Sequence, residues 1–211
     1  MTPTRVVLAD DHTLVLEAFR QLLSADVDIV GTARDGRELI KVVKEQKPDV
    51  VVTDLSMPVL NGLDAGIKLL KLMPDLKIIF LTVSDDPDMV ADVIRAGAKG
   101  YLLKSSATAE LMQAIRAVVS GATYITPLVT GEMLSSLLKG GKRDLFEKLS
   151  VRQREILQLL AEGKTMKETG QILSITPRTV AFHKYRIMET LGFENSSQLI
   201  RFAMKSGLFE S

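Results

Sequence analysis

The sequence predicts an α/β protein in which a doubly wound parallel sheet is followed by a small all-helical domain. Three observations carry that reading. Over the first 120 residues, short runs of Val, Ile, Leu and Phe alternate with stretches of helical apolar spacing; the alternation stops after Gly121; and from Leu149 onward every apolar repeat is helical.

The strand candidates are 5–9, 28–33, 49–53, 77–82 and 99–103, each nearly continuous in apolar residues, as strands buried on both faces should be. Between them, 14–23, 37–45, 63–72, 88–96 and 109–119 repeat apolar residues at helical spacing, giving five βα units. After Gly121 come Thr123-Tyr124-Ile125-Thr126-Pro127, a short helical segment, and Lys139-Gly140-Gly141-Lys142-Arg143, which reads as a linker. Helices then follow at about 151–162, 165–173, 177–191 and 196–205, broken at Gly163, at Ser174-Ile175-Thr176 and at 192–195. The expected organisation is a first domain at 1–121, a linker with a short helix at 122–147, and a helical domain at 148–211.

Composition removes several function classes. The chain has 211 residues and no Cys, which excludes a disulfide framework, thiol catalysis and Cys-ligated metal centres. With only His12 and His183, a multi-histidine metal site is excluded too. No apolar run approaches a bilayer span and Met1–Arg5 lacks a signal segment, so a cytoplasmic location with no membrane contact is expected. Residues 1–120 carry 14 basic and 17 acidic side chains, whereas 121–211 carry 13 and 9. An acidic half joined to a basic half suggests two tasks, the second on nucleic acid.

In an open parallel sheet, ligands bind beyond the carboxyl ends of the strands, where strand order reverses. Asp10-Asp11 follow the first strand, Thr53-Asp54 end the third, Thr82 ends the fourth and Lys104 follows the fifth. The acids would repel one another without a cation, and an oxygen-only set suits Mg²⁺ with a phosphate partner. A carboxylate can also act as the nucleophile that becomes an aspartyl phosphate, with Lys and a hydroxyl holding the other oxygens. Asp10 alone is more simply read as a helix cap, as is Asp35 before Gly36; the complete set at successive strand ends favours the site. His12 reads as a loop residue, since hard Mg²⁺ prefers oxygen.

Asp10-Asp11, Asp54 followed by Met57-Pro58 and Asn61-Gly62, Thr82, and Ala96-Gly97-Ala98-Lys99-Gly100-Tyr101-Leu102-Leu103-Lys104 resemble the receiver domain of bacterial two-component response regulators. The resemblance implies a flavodoxin-like fold with five strands in the order 2-1-3-4-5. It implies Asp54 as phosphoacceptor, Mg²⁺ on Asp10, Asp11, Asp54 and the Ser56 carbonyl, and phosphoryl contacts from Thr82 and Lys104. Thr82 and Tyr101 would be the switch pair; a half-buried strand tyrosine is the competing reading of Tyr101. Gly62 and Gly100 are read as tight backbone positions.

In the basic half, two helices separated by Ser174-Ile175-Thr176 form a helix-turn-helix candidate, with Thr176 as N-cap and Pro177 as first helical residue. Val180, Ile187 and Leu191 share the core face of the second helix, with Met188 at its margin. Arg178, Phe182, Tyr185, Arg186 and Glu189 lie opposite, with Ala181 at the edge. Arg can read guanine and Ala or Phe can touch a thymine methyl, whereas Lys184 is placed for phosphate. His183 either meets phosphate or packs, and the aromatics could instead bind a protein.

Leu149-Ser150-Val151-Arg152-Gln153-Arg154-Glu155-Ile156-Leu157, Ala161-Glu162-Gly163-Lys164-Thr165, Lys167-Glu168, Thr176-Pro177-Arg178-Thr179-Val180, His183 and Leu191-Gly192 resemble the LuxR-type helix-turn-helix. Receiver plus this module is similar to the NarL/FixJ class. That resemblance implies a non-enzymatic transcription regulator phosphorylated by a sensor histidine kinase and binding double-stranded DNA at promoter half-sites as a homodimer when active. The expected DNA contacts are Arg178, Thr179, Ala181, Phe182, His183, Lys184, Tyr185 and Arg186. The rival reading is a phosphorylation-independent regulator with a receiver-like domain. Met166, Thr169 and Gly170 depart from the residues usual on the first helix of the motif, and a mid-helix Gly costs about 1 kcal/mol relative to Ala. The family places the dimer contact on the last helix, where Leu199, Ile200, Phe202, Ala203 and Met204 serve either a partner or the domain's own core.

Overall fold

Alternating strands and helices close a parallel sheet in the computed structural model, which describes residues 3–130 and 148–205. The strands are β1 (Thr4–Ala9), β2 (Val27–Ala33), β3 (Val50–Asp54), β4 (Lys77–Thr82), β5 (Gly100–Leu103) and β6 (Tyr124–Ile125). The intervening helices are α1 (Thr13–Leu23), α2 (Gly36–Gln46), α3 (Gly62–Leu72), α4 (Pro87–Arg95) and α5 (Ala107–Val119).

Strand order is β2-β1-β3-β4-β5-β6, all parallel, so order reverses between β1 and β3. Successive side chains leave a strand on opposite faces. Val7, Ala9, Val51, Ile78, Phe80, Tyr101 and Leu103 therefore enter one core layer with Leu39, Val43, Leu69 and Val93 of α2, α3 and α4. Val6, Leu8, Val50, Val52, Ile79, Leu81 and Leu102 enter the other, against Leu16, Leu23, Leu111 and Ile115 of α1 and α5. Asp35 caps α2 by accepting from the Arg37 and Glu38 N–H groups, as its sequence position implies.

The sheet is one strand wider than the expected five. Segment 122–126 was assigned to the linker, but β6 pairs with β5, the Thr126 N–H donates to the Tyr101 carbonyl, and Val129 is buried in the sheet's core. Two residues are too few to show an alternation, and the adjacent Pro127 reads as a breaker. Residues 127–130 begin a helical turn, while the expected linker at 139–143 lies outside the described residues.

The second domain contains α6 (Val151–Ala161), α7 (Met166–Leu173), α8 (Pro177–Leu191) and α9 (Ser196–Lys205). Ser150 with Gln153 and Thr165 with Glu168 form capping boxes, and Thr176 caps α8 ahead of Pro177. Gly170, the departure noted above, is explained by packing: a Cβ there would lie 2.7 Å from the Ile175 carbonyl oxygen. A small residue is needed for the close turn between α7 and α8.

The two domains are docked. Arg154 Nε donates to Asp64 at 2.8 Å, and Lys68 Nζ meets Glu155 at 2.7 Å, joining α6 to α3. Leu63 and Met89 of the first domain pack against the cluster containing Leu149, Leu157, Ile187 and Leu199. In the loop between β3 and α3, Val59 adopts φ +67° and packs against Ile156, Leu159, Leu173 and Val180. A β-branched residue in the left-handed region carries strain of order 1–3 kcal/mol, so neighbouring contacts must hold it there.

Candidate functional site

Because β1 and β3 are neighbours, their ends bring Asp10 and Asp54 together; the residues are only 1% and 2% exposed. The Lys104 ammonium reaches over from the end of β5, 2.7 Å from Asp54 Oδ2 and 2.9 Å from Asp10 Oδ2. The Ser56 N–H donates to Asp54 Oδ1 at 3.2 Å. Gly62 opens α3 directly beneath: a Cβ on it would fall 1.8 Å from the Asp54 carbonyl oxygen, so no other residue fits.

Burial pushes the Asp54 carboxyl up to about 6, with the Asp10 charge adding and the Lys104 hydrogen bond and charge opposing. Burial works against the Lys104 ammonium, but its hydrogen bond to Asp54 and its attraction to both carboxylates outweigh this and raise its pKa. Asp10 Oδ2 lies close to that ammonium without a hydrogen bond from it, leaving a buried carboxylate oxygen with coordination capacity. An oxygen-rich pocket with one cation for several acids fits a hard divalent ion.

Asp11 is half-buried at the pocket rim. His12 remains 54% exposed on the loop, as expected, but its ring rests on the acids, with Nδ1 2.9 Å from Asp11 Oδ1 and 3.2 Å from Asp10 Oδ1. The Asp11 charge, then the Asp10 hydrogen bond, raise its pKa. Ligand atoms of Asp10, Asp11 and His12 lie within 4.8 Å of one another.

Thr82, buried at the end of β4, accepts a hydrogen bond from the Ser84 N–H at 3.0 Å. Tyr101 is fully buried rather than half-buried, and its hydroxyl donates to the Ser84 carbonyl at 2.8 Å. Burial, reinforced by Asp86 and Asp85, holds this phenol well above its ordinary value, so it remains a donor. Both members of the expected switch pair therefore meet at Ser84.

On α8, Val180, Ile187, Met188 and Leu191 are buried, as their spacing requires. Arg178 is exposed, and Phe182 and Tyr185 are 57% and 63% exposed. The Arg186 guanidinium sits 5.7 Å over the Phe182 ring and pairs with Glu189 at 3.2 Å. Lys184, half-buried, lies 6.0 Å from the Tyr185 ring centroid, and His183 meets Phe182 edge-on at 5.6 Å. Thr179 shares a 2.9 Å hydroxyl contact with Thr176, and Ala181 is half-buried beside it. The last helix divides its apolar residues: Leu199 and Ala203 enter the core, while Met204 is exposed.

Comparison with known proteins gives the family in which both sites stand. Residues 6–116 match the response regulator receiver domain, and residues 147–203 match the bacterial regulatory proteins of the luxR family. The chain belongs to the response-regulator family. The oxygen regulatory protein NreC of Staphylococcus aureus is 38% identical over 215 residues, covering 98% of this chain and 99% of the relative. The response regulator RcsB of Salmonella typhimurium superposes with a TM-score of 0.64 at 31% identity, covering 97% of this chain and 98% of its own. RcsB of Salmonella enterica serovar Typhimurium bound to a promoter with a beryllium fluoride phosphomimetic gives 0.63 at 28% identity, covering 97% and 100%.

What the residue pattern of this response regulator did not disclose is the set of side chains joining its two domains at the pocket. Gln158, buried on α6, donates from Nε2 to the Met57 carbonyl at 2.7 Å and accepts the Asn61 N–H at 2.9 Å. Glu162 accepts the Val59 N–H at 3.0 Å. Glu155 is buried among Lys68, Arg152 and Arg37; burial opposes ionisation, but the Lys68 and Arg152 hydrogen bonds prevail and hold its pKa low. The sequence signal is faint: Gln158 stands between Leu157 and Leu159 on α6 and is buried with them, a polar side chain in an otherwise apolar stretch.

Proposed function

We propose that this response regulator is switched by transfer of a phosphoryl group to Asp54 from a sensor histidine kinase, and that it then binds promoter half-sites as a homodimer. The observation that carries the reading is the buried Asp54 carboxylate, 2.7 Å from the Lys104 ammonium at the strand-order reversal. With its pKa pushed up to about 6, Asp54 is mostly ionised at neutral pH and remains a nucleophile. One of its oxygens attacks phosphorus, the bond to the donor nitrogen breaks, and the donor imidazole leaves neutral after taking up a proton. Lys104 and Thr82 hold the transferred oxygens.

Asp10, Asp11, Asp54 and the Ser56 carbonyl would hold Mg²⁺, which supplies charge neutralisation for the phosphoryl oxygens. Thr82, drawn toward the phosphoryl group, would alter the contacts it shares with Tyr101 at Ser84.

On the DNA side, Arg178, Phe182, Tyr185 and Arg186 would enter the major groove while Thr179, Ala181, His183 and Lys184 border it. The exposed Met204 side of α9 would meet a second copy. Among the described residues no helix is long and apolar enough to cross a membrane, and the reading places the protein in the cytoplasm with its DNA.

Intact mass after incubation with acetyl phosphate and Mg²⁺ tests the switch. The native chain should gain one phosphoryl group, and neither Asp54→Asn nor a chelated sample should. No gain in any sample, with acetyl phosphate or with a histidine kinase, would favour a phosphorylation-independent regulator.

A further inference from the structure

We propose that Thr126, held by Glu110, is a positioning residue for phosphoryl transfer: its hydroxyl fixes the end of β5 so that the Lys104 ammonium stands over Asp54. The inference rests on Asp54 being the phosphoacceptor. Its observation is a side-chain hydroxyl standing where a sheet would place a carbonyl. Strand β6 pairs with Gly100 and Tyr101 of β5, and the Thr126 N–H donates to the Tyr101 carbonyl at 3.0 Å. The next N–H on that edge, from Leu103, is met not by a carbonyl but by Thr126 Oγ1 at 3.2 Å. Leu103 and Thr126 are 4% and 2% exposed, so water is a poor substitute for that oxygen.

The hydroxyl is aimed. Thr126 Oγ1 donates its proton to Glu110 Oε2 of α5 at 3.0 Å, which leaves its lone pairs for the Leu103 N–H. The same carboxylate oxygen accepts the Tyr124 hydroxyl at 3.2 Å. Burial, then the Glu110 charge and hydrogen bond, raise the Tyr124 pKa, so the phenol stays a donor. Two hydroxyls of the β6 segment are therefore fastened to one side chain of α5.

From Leu103 the restraint reaches the pocket in one residue. The Leu103 carbonyl accepts from the Ser106 N–H at 3.0 Å and from its hydroxyl at 3.2 Å, and the Lys104 N–H donates to the Thr82 carbonyl at 2.7 Å. With the Leu103 N–H on Thr126, every backbone group from Leu103 N to Lys104 N is paired. A lysine side chain is a flexible four-carbon stem, so the place of its ammonium depends on where its backbone is fixed. Here one ammonium must serve Asp54 at 2.7 Å and Asp10 at 2.9 Å. A misplacement of about 1 Å at a reacting centre can cost on the order of 100-fold in rate. Removing the Thr126 hydroxyl frees the outer side of β5 next to Lys104 and loosens the base from which the ammonium reaches.

The test compares the full-length native chain with Thr126→Val, Thr126→Ser and Glu110→Ala. Phosphorylation by acetyl phosphate at saturating Mg²⁺ is followed by intact mass over time. In parallel, each chain is treated with a limiting amine-reactive ester without metal or phosphate donor, and the label on each lysine is read by peptide mass spectrometry. Thr126→Val should be phosphorylated roughly threefold or more slowly, and its Lys104 should be labelled faster by a similar factor, while the exposed Lys44 and Lys71 keep their native rates. Thr126→Ser keeps the hydroxyl and should match the native chain within about twofold in both measurements. Glu110→Ala keeps the hydroxyl but not its aim; it should move both in the direction of Thr126→Val, and carries the comparison should that variant fail to fold. Slower phosphorylation with native labelling of Lys104, or faster labelling of all lysines alike, would overturn the positioning role and leave Asp54 as phosphoacceptor intact. Native-rate phosphorylation in a folded Thr126→Val would overturn it as well. Failure of the native chain to gain any phosphoryl group would overturn the phosphoacceptor reading, and the role of Thr126 in phosphoryl transfer with it.

Discussion

The acid pocket and the outer face of α8 carry charge in opposite ways. At the ends of β1 and β3, Asp10 and Asp54 are buried and share one ammonium, and the fold sets the protonation of Asp54. On α8, Arg178, Arg186, Phe182 and Tyr185 stand in solvent on a helix whose stability comes from Val180, Ile187 and Leu191 on the other side. A change in the pocket should therefore alter stability and chemistry together, whereas a change on the α8 face should alter binding alone.

The largest expected break is Gly62→Ala. Its Cβ would lie 1.8 Å from the Asp54 carbonyl oxygen, a contact that backbone must move to relieve. We expect a loss of roughly 3 kcal/mol or more, of the size seen for overpacking against rigid surroundings, with loss of phosphorylation. Urea unfolding followed by circular dichroism checks this. A midpoint within error of the native chain would show that the pocket is far softer than its packing implies.

A second effect tests the electrostatic side of the comparison. The folded Asp54 pKa, about 6, lies above the ordinary value of 3.8 for the unfolded chain, so the folded state holds the proton more tightly. The associated stability is fully present below about pH 3.8 and lost as pH rises through about 6. A shift of this size, already net of the Lys104 attraction, corresponds to at most roughly 3 kcal/mol, and imperfect replacement of the carboxyl by an amide lowers the gain. Asp54→Asn should therefore stabilise the metal-free chain by about 1–2 kcal/mol at pH 7.5, with the gain vanishing toward pH 4. Denaturant midpoints across that range measure it, and added Mg²⁺ should narrow the difference by stabilising the native chain.

Legibility in the sequence follows the same division between local and non-local causes. Asp10, Asp54, Thr82 and Lys104 could be placed together because a parallel sheet aligns its strand ends, and each strand announced itself as an apolar run. The helices of the second domain were legible because Ser150, Thr165, Thr176 and Gly192 mark their ends by local chemistry. Strand β6 was not, since its pairing with β5 depends on a ready edge rather than on its own residues. The dock was not legible either: Gln158 and Glu162 look like ordinary polar helix residues until their partners, about 100 positions away, are known. Nor does Val59 announce its left-handed backbone, because Val at that position is chosen against its own preference.

Phe182→Ala sharpens the comparison from the other side. The ring is 57% exposed and contributes no buried core contact, so folding stability should change by less than about 0.5 kcal/mol. Its removal does take away the surface over which Arg186 is stacked and a group able to meet a thymine methyl. Affinity for a cognate promoter should fall about tenfold, in the range of 1–3 kcal/mol for a base-reading contact, while affinity for random DNA changes little. Arg186→Ala should differ: losing a cation weakens both, and reduces the slope of log affinity against log salt if the guanidinium touches phosphate. Fluorescence anisotropy with the phosphorylated chain at two salt concentrations separates these outcomes. Equal losses on cognate and random DNA for Phe182→Ala would assign the ring to orienting Arg186 rather than to reading a base.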